Sequence, residues 1–183
     1  RAEKKEQIQK EKIVKELKLA QEQKHHALRN LGVSNELMRK ADHDLSEKND
    51  EESLKTLIQV IALDENHRKG NELLARLYLR ATRHKKAELI LKHLIELYPF
   101  DPEYYSMLGH SFFERHQFKA AIRCYEKALS LDKNNPKRFI HIGSVYATKK
   151  EFPAALDCYM KAHRIDVRNI ELMFLIVEIC LQN

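Results

Sequence analysis

The chain has 183 residues, of which 43% are hydrophobic and 33% charged, with only four Gly, four Pro and no Trp. This composition allows a packed core and favours long helices with few turns. The sequence contains no run of about 18 apolar residues, so it predicts no transmembrane helix. The formal charge of +6 is uneven, because residues 1–33 hold nine Lys or Arg against five Glu and the rest holds 24 against 22. Positive and negative residues are therefore nearly balanced in residues 34–183, which gives little support for nucleic-acid binding.

The N-terminal segment, residues 1–33, predicts one long and highly charged helix. Pairs such as Glu11 and Lys15 support a helix at spacing i, i+4. Gly32 followed by Ser34 as an N-cap predicts that this helix ends there. Three uses remain open: a C-terminal half docked as a cap on the next helices, a solvated or coiled-coil arm, or a segment beside a membrane anchor. The helix carries a broken apolar stripe made of Ile13, Leu17, Ala20, Ala27, Leu28 and Leu31.

The rest of the chain repeats itself with a period of 34 residues. Residues 102–135 align with residues 136–169, so that Leu108 falls on Ile142 and Tyr125 on Tyr159. A period of this length indicates stacked supersecondary units that bury a continuous core. The frame divides the chain into a degenerate unit 34–67, three full units 68–101, 102–135 and 136–169, and a half unit 170–183.

Each unit predicts two helices joined by a turn, because apolar residues recur at helical spacing in both halves. Small residues recur where the two helices approach each other. Ala75, Gly109 and Gly143 occupy one such slot in the first helix of successive units. A larger side chain in this slot would force the helix pair apart.

This pattern resembles the tetratricopeptide repeat family. The resemblance covers residues 34–183 and departs at Lys133, where the family usually has Pro. It implies an all-α fold, a right-handed α-α superhelix (solenoid) of helix–turn–helix repeats preceded by the long N-terminal helix. The matching positions of the third unit are Tyr105, Leu108, Gly109, Phe112, Ala121, Tyr125 and Ala128.

The resemblance also implies a binding surface, since the first helices of such arrays line a concave groove. The family's clamp for acidic chaperone tails needs asparagines where Asp42 and Arg76 stand, so a co-chaperone role is disfavoured. The groove positions of this chain carry both cations and apolar residues. Such a surface suits an extended or helical peptide that has acidic and apolar residues. The implied partner-binding residues are Lys69, Glu72, Arg76, Leu79, Arg80, Ser106, His110, Phe113, Lys137, Ile140 and Ser144.

We find no constellation of residues typical of an enzyme, a cofactor site or a metal site. The sequence has no Gly-rich phosphate loop, and His110 and His141 are joined by no further ligand at metal-binding spacing. Cys124 and Cys158 occupy equivalent helices that an intervening helix separates, which predicts free thiols. Three cysteines without close spacing favour a reducing compartment, so we expect a cytoplasmic protein.

The sequence therefore predicts a protein–protein interaction scaffold that binds a peptide or helix of a partner protein in the groove. The run 100–105 resembles small chaperones of type III secretion, which is one alternative, and an RNA-binding helical repeat is another. At the C-terminal end we expect an exposed apolar surface, and hence either a longer array or self-association. The residues expected there are Ile176, Val177, Ile179 and Leu181.

Overall fold

A computed structural model describes residues 2–182, with side chains at residue 15 and from 17 to 182. Over this range the chain forms α-helices and no strand. The first helix of each full unit begins 34 residues after the previous one, and so does each second helix, which confirms the predicted all-α repeat. The helices are α1 (Ala2–Ser46), α2 (Asp50–Leu63), α3 (Arg68–Arg80), α4 (His84–Leu97), α5 (Pro102–Glu114), α6 (Phe118–Leu131), α7 (Pro136–Thr148), α8 (Phe152–Ile165) and α9 (Ile170–Gln182).

The chain divides into two compact units, Arg1–Gly70 and Asn71–Asn183. In the first unit, α2 packs against the C-terminal third of α1. Met38 and Ala41 of α1 are buried there together with Leu57 and Val60 of α2. The Ser53 hydroxyl donates a hydrogen bond to the Ala41 carbonyl oxygen at 3.1 Å, which satisfies a buried polar group between the two helices.

The helix end predicted at Gly32 is wrong, because α1 continues without a break to Ser46. Residues 34–46 align with the first helix of the next repeat, so the N-terminal helix and the first repeat helix are fused. A single glycine in a helix interior costs only about 1 kcal/mol, which the flanking helix-forming residues offset. Ser34, expected as an N-cap, is instead a buried helical residue.

Docking of the C-terminal half of this segment as a cap, one of the three uses left open, is not seen for the described leucines before Ser34. Leu17, Leu28 and Leu31 are each more than half exposed. Helix α2 has only 14 residues, about 21 Å at 1.5 Å per residue, and is too short to cover more of α1. Ile13 and the Glu11–Lys15 pair include side chains outside the described residues.

In the second unit, consecutive helices from α4 to α9 pack against each other in chain order. A Cβ added at Gly109 would lie 2.7 Å from Cδ1 of Tyr125, and one added at Gly143 would lie 2.5 Å from Cε1 of Tyr159. At Gly109 and Gly143, the predicted small-residue slot is therefore the place where an aromatic ring of the second helix contacts the first helix. Ala75, the equivalent residue of α3, is fully buried.

The turn between the two helices of each repeat has a left-handed residue at the same position. Lys48, Thr82, His116 and Lys150 have φ between 56° and 61°, and they lie 34 residues apart. In the second repeat, the Thr82 and Arg83 amides donate to the carbonyl oxygens of Leu79 and Tyr78. These bonds close the end of the first helix and reverse the chain.

At the C-terminal end, α9 packs on α8 and buries Leu172 and Ile179. Val177 and Leu181 are exposed as predicted, but the expectation for Ile179 is wrong and Ile176 is half-buried. Both residues join the cluster around Tyr159, because positions 172, 176 and 179 lie on one face of a helix. Among the described helices, none combines the length and apolar character that a membrane span requires.

Candidate partner-binding face

The candidate face lies in the second unit and is formed by α5, α7 and residues 71–80 of α3. The Tyr104 hydroxyl of α5 donates a hydrogen bond to the Glu72 carboxylate of α3. The Arg138 guanidinium of α7 donates to the Ser106 hydroxyl of α5 at 2.6 Å. Both pairs are 32 residues apart in the chain, so the same position in successive repeats connects neighbouring first helices.

Arg138 is the centre of a polar network that the sequence reasoning missed. Its side chain is only 6% exposed. Its Nη1 atom lies 3.4 Å from Oε2 of Glu103, and its Nε atom lies 3.3 Å from Oδ2 of Asp132. A buried guanidinium is tolerated only when its donors are satisfied by carboxylates and hydroxyls in this way. The network therefore holds the start of α7 against α5.

The sequence offered one signal for Arg138, namely its place in the repeat. Arg138 aligns with Tyr104 in the preceding unit and with Leu172 in the following one, and all three are buried. A large buried residue at this position predicts that Arg138 is buried too. A buried arginine in turn demands acidic partners nearby.

Glu103 links this network to the exposed part of the face. Its Oε1 atom lies 3.5 Å from Nη2 of Arg76, while its other oxygen faces Arg138. About half of each side chain in the Arg76–Glu103 pair is exposed, so the pair contributes little to stability. A carboxylate of a binding partner would have to compete with Glu103 for Arg76.

The predicted binding residues fall into three groups in the structure. Arg76, Arg80, His110 and Lys137 are exposed cations or histidine. Leu79, Phe113 and Ile140 are half-buried apolar residues beside them. The polar residues Glu72, Ser106 and Ser144 are hydrogen-bonded within the protein, to Tyr104, Arg138 and the Ile140 carbonyl oxygen respectively.

Lys69 lies in the first unit, where it is paired within the protein. Its Nζ atom donates to Oδ2 of Asp42 at 2.6 Å, and both side chains are about half exposed. The repeat frame predicts that Asp42 and Lys69 lie at groove positions of successive repeats. The structure shows that these two positions neutralise each other within the first unit.

His141 is a half-buried histidine in a position that other repeats fill with apolar residues, Met107 before it and Leu175 after it. Its ring lies against Tyr125 with centroids 5.0 Å apart. Its Nδ1 atom is buried and has no hydrogen-bond partner among the described residues. Burial, with a further contribution from Arg138, lowers the pKa of His141 to about 4, so the ring is neutral at pH 7.

The three cysteines are free thiols. Burial raises the pKa of Cys124 to about 11 and raises that of Cys158 as well. Thiolates are therefore disfavoured at both positions, and neither thiol has the environment of a nucleophile. Among the described residues, no three His, Cys, Asp or Glu side chains lie close enough together to hold a metal ion.

Comparison with known proteins agrees with this architecture. Residues 102–135 match the family model described as the tetratricopeptide repeat. A search of curated proteins gives no match.

Several solved structures have a similar fold. MamA 41-end from Desulfovibrio magneticus RS-1 has a TM-score of 0.70 at 19% identity, covering 75% of this chain and 77% of that one. TTC0263, described as a thermophilic TPR protein in Thermus thermophilus, has a TM-score of 0.68 at 17% identity, covering 77% and 78%. YrrB, described as a TPR protein with an unusual peptide-binding site, has a TM-score of 0.62 at 16% identity, covering 78% and 74%.

At these identities the structural likeness shows the fold alone. The family match, however, covers one complete repeat, 102–135, and the helix starts of α3, α5, α7 and α9 reproduce its 34-residue period before and after it. The chain therefore contains a tetratricopeptide repeat at residues 102–135, within a helical array of the same period.

Proposed function

We propose that the protein is a protein–protein interaction scaffold that binds a peptide or helix of a partner on the face of α3, α5 and α7. The observation that carries the proposal is the alternation of exposed cations with half-buried apolar residues over three adjacent helices. Arg76, Arg80 and Lys137 supply charge, while Leu79 and Phe113 supply apolar contact. YrrB, a similarly folded protein, is described as having an unusual peptide-binding site.

The chemistry of this face favours a peptide that carries both acidic and apolar residues. Leu79 and Ile140 are partly covered already, so an apolar side chain of the peptide removes their remaining surface from water at about 25 cal/mol per Å². Acidic residues of the peptide attract the cations and orient the peptide, which affects specificity and association rate more than affinity. Arg76 is paired with Glu103, so an acidic residue of the peptide competes with Glu103 for this guanidinium.

The experiment is a fluorescence anisotropy screen of an acidic-apolar peptide library, with the intact chain and with the double variant Arg76→Glu, Arg80→Glu. We expect the variant to bind the best peptides at least 10-fold more weakly, which corresponds to about 1.4 kcal/mol. The matched control is Lys119→Glu, Arg123→Glu, which makes the same change of charge on exposed residues of α6. Equal losses in both variants would point to long-range charge effects and contradict a site on this face.

A further inference from the structure

A second surface lies on α1, in the first unit, and forms what we call the α1 seam. Its residues are spaced alternately by three and four positions, which is the heptad pattern of helices that pack along their length. Such residues form one continuous stripe along the helix. The seam consists of Leu17, Ala20, Lys24, Ala27, Leu31, Ser34, Met38, Ala41 and Leu45.

The two ends of the α1 seam have different surroundings. Ser34, Met38 and Ala41 are buried against α2. Leu17 is 59% exposed and Leu31 is 54% exposed, as is the adjacent Leu28. The same stripe forms the helix interface in its C-terminal part, whereas between residues 17 and 31 the described residues leave its leucines exposed.

A cavity marks the point where α2 stops covering the seam. It has a volume of about 510 Å³ and is lined by Ala27, Leu31 and Ser34 of α1 and by Leu63 and Asp64 at the end of α2. The Ser34 hydroxyl is buried and has no hydrogen-bond partner among the described residues. An unsatisfied buried hydroxyl is unfavourable, so a group that enters this cavity gains by bonding to it.

We propose that residues 17–31 of α1 bind an acidic amphipathic helix of another protein, which continues the course of α2 along the seam. The helical form of the partner follows from the continuity of the seam with the α1–α2 interface. Ala20 and Ala27 are small, so a second helix can approach α1 as closely as α2 approaches Ala41. None of residues 17–31 belongs to the candidate face on α3, α5 and α7.

The charge of the partner follows from the residues around the seam. Between residues 15 and 31 the chain has four Lys or Arg against two Glu, and two histidines. Lys24 lies within the seam itself. Burying a lysine there is favourable only if the partner places a carboxylate opposite it, and this requirement also sets the register of the two helices.

The same charges disfavour a second copy of the chain as the occupant. Two copies paired along the seam would bring together two segments with an excess of positive charge. An antiparallel pair would further place Lys24 near the positive side chains of its partner. Like charges in a desolvated interface oppose association.

The test is fluorescence anisotropy with a designed labelled peptide of about three heptads, with Leu and Ala in the seam positions and Glu on both flanks. The intact chain should bind this peptide, and should bind a matched peptide with Lys in place of every Glu at least 10-fold more weakly. The variant Leu17→Asp, Leu31→Asp should lose at least 10-fold in affinity for the acidic peptide. Since both leucines are exposed, circular dichroism should show an unchanged fold.

The control is Leu89→Asp, which alters a leucine of α4 that is even more exposed and should bind the acidic peptide as the natural chain does. A chain that does not bind the acidic peptide, or binds the lysine peptide equally well, would overturn the proposal. Sedimentation equilibrium completes the test. A dimer that dissociates in Leu17→Asp, Leu31→Asp would show that a second copy occupies the seam and would also overturn it.

Discussion

Gly109 shows how one missing side chain sets the distance between two helices. An alanine is the better helix former by about 1 kcal/mol, yet its Cβ would lie 2.7 Å from the buried ring of Tyr125. A ring held in the core cannot move aside, and overpacking of this kind costs about 1–3 kcal/mol. We therefore expect Gly109→Ala to lower the free energy of unfolding by about 1 kcal/mol, measured by urea denaturation.

Gly32 is the matched control for this substitution. It also lies inside a helix, but a Cβ there would meet nothing within 4 Å. Gly32→Ala should therefore show only the gain in helix propensity, up to about 1 kcal/mol, seen as slower amide exchange around residue 32. If Gly109→Ala were as stable as the natural chain, the close packing of Tyr125 on α5 would be incorrect.

His141 gives the stability a dependence on pH. Burial, and then the charge of Arg138, lowers the pKa of His141 from about 6.5 to about 4 in the folded chain, with Glu103, His110 and Lys137 also facing it. A group whose folded pKa is lower binds protons more strongly when unfolded, so the stability is full above pH 6.5 and falls as the pH drops toward 4. The loss from this group is of the order of 1–3 kcal/mol.

The variant His141→Met isolates this effect, because Met107 occupies the same slot in the preceding repeat. We expect the melting temperature of the natural chain to fall more steeply between about pH 7 and about pH 4.5 than that of the variant. Parallel pH profiles of the two chains would show that His141 is accessible to protons in the folded state. Other titrating groups contribute to both profiles equally and do not affect the comparison.

At the scale of elements, the turns between paired helices contain a local conflict between sequence and backbone. Thr82 is β-branched and has φ of 56°, a conformation that costs an L-residue about 1–2 kcal/mol and that glycine adopts freely. Thr82→Gly should therefore raise the free energy of unfolding by about 1 kcal/mol, measured by urea denaturation. Ala81→Gly, one residue earlier with no positive φ, should lower it, and a loss in both variants would contradict the assigned turn.

The docking of α7 on α5 depends on the carboxylate of Glu103. Glu103→Gln leaves the buried Arg138 with a single carboxylate, Asp132, and we expect a loss of about 1–3 kcal/mol in the free energy of unfolding. Arg76→Gln removes only the exposed pair with Glu103, which is worth about 0–1 kcal/mol. Equal effects in urea denaturation would mean that Arg138 is not held by Glu103.

At the scale of the whole molecule, the two ends of α1 differ in what stabilises them. Described residues before Ser34 have helical hydrogen bonds but exposed side chains, and an isolated helix of this kind opens readily. The helices α5 to α8 pack on both neighbours. We expect amide hydrogens of residues 17–31 to exchange at least about 100-fold faster than those of residues 104–128, as measured by hydrogen exchange. Comparable protection would mean that another element covers the N-terminal part of α1.

Much of the fold and part of the candidate face followed from the repeat alone. Tyr125 and Tyr159, 34 residues apart, predicted the register in which α3, α5, α7 and α9 begin. Periodicity reports which residues face the core, so it also predicted that Leu79 and Phe113 lie on the first helices of adjacent repeats. It could not report that Arg76 is paired with Glu103, because ion pairs between repeats depend on side-chain geometry in three dimensions.

The sequence by itself determined the class of the fold, the 34-residue register and the small-residue slot at Gly109, because these depend on local propensity and on the spacing of apolar residues. Only the tertiary structure decided that α1 continues through Gly32. The helix stability that one glycine removes is smaller than the stability that packing and the neighbouring residues supply. It also decided that Arg138 is buried and that the α1 seam is covered at one end and open at the other. Both depend on how far a neighbouring helix extends, and the spacing of residues along one helix does not predict the length of its neighbour.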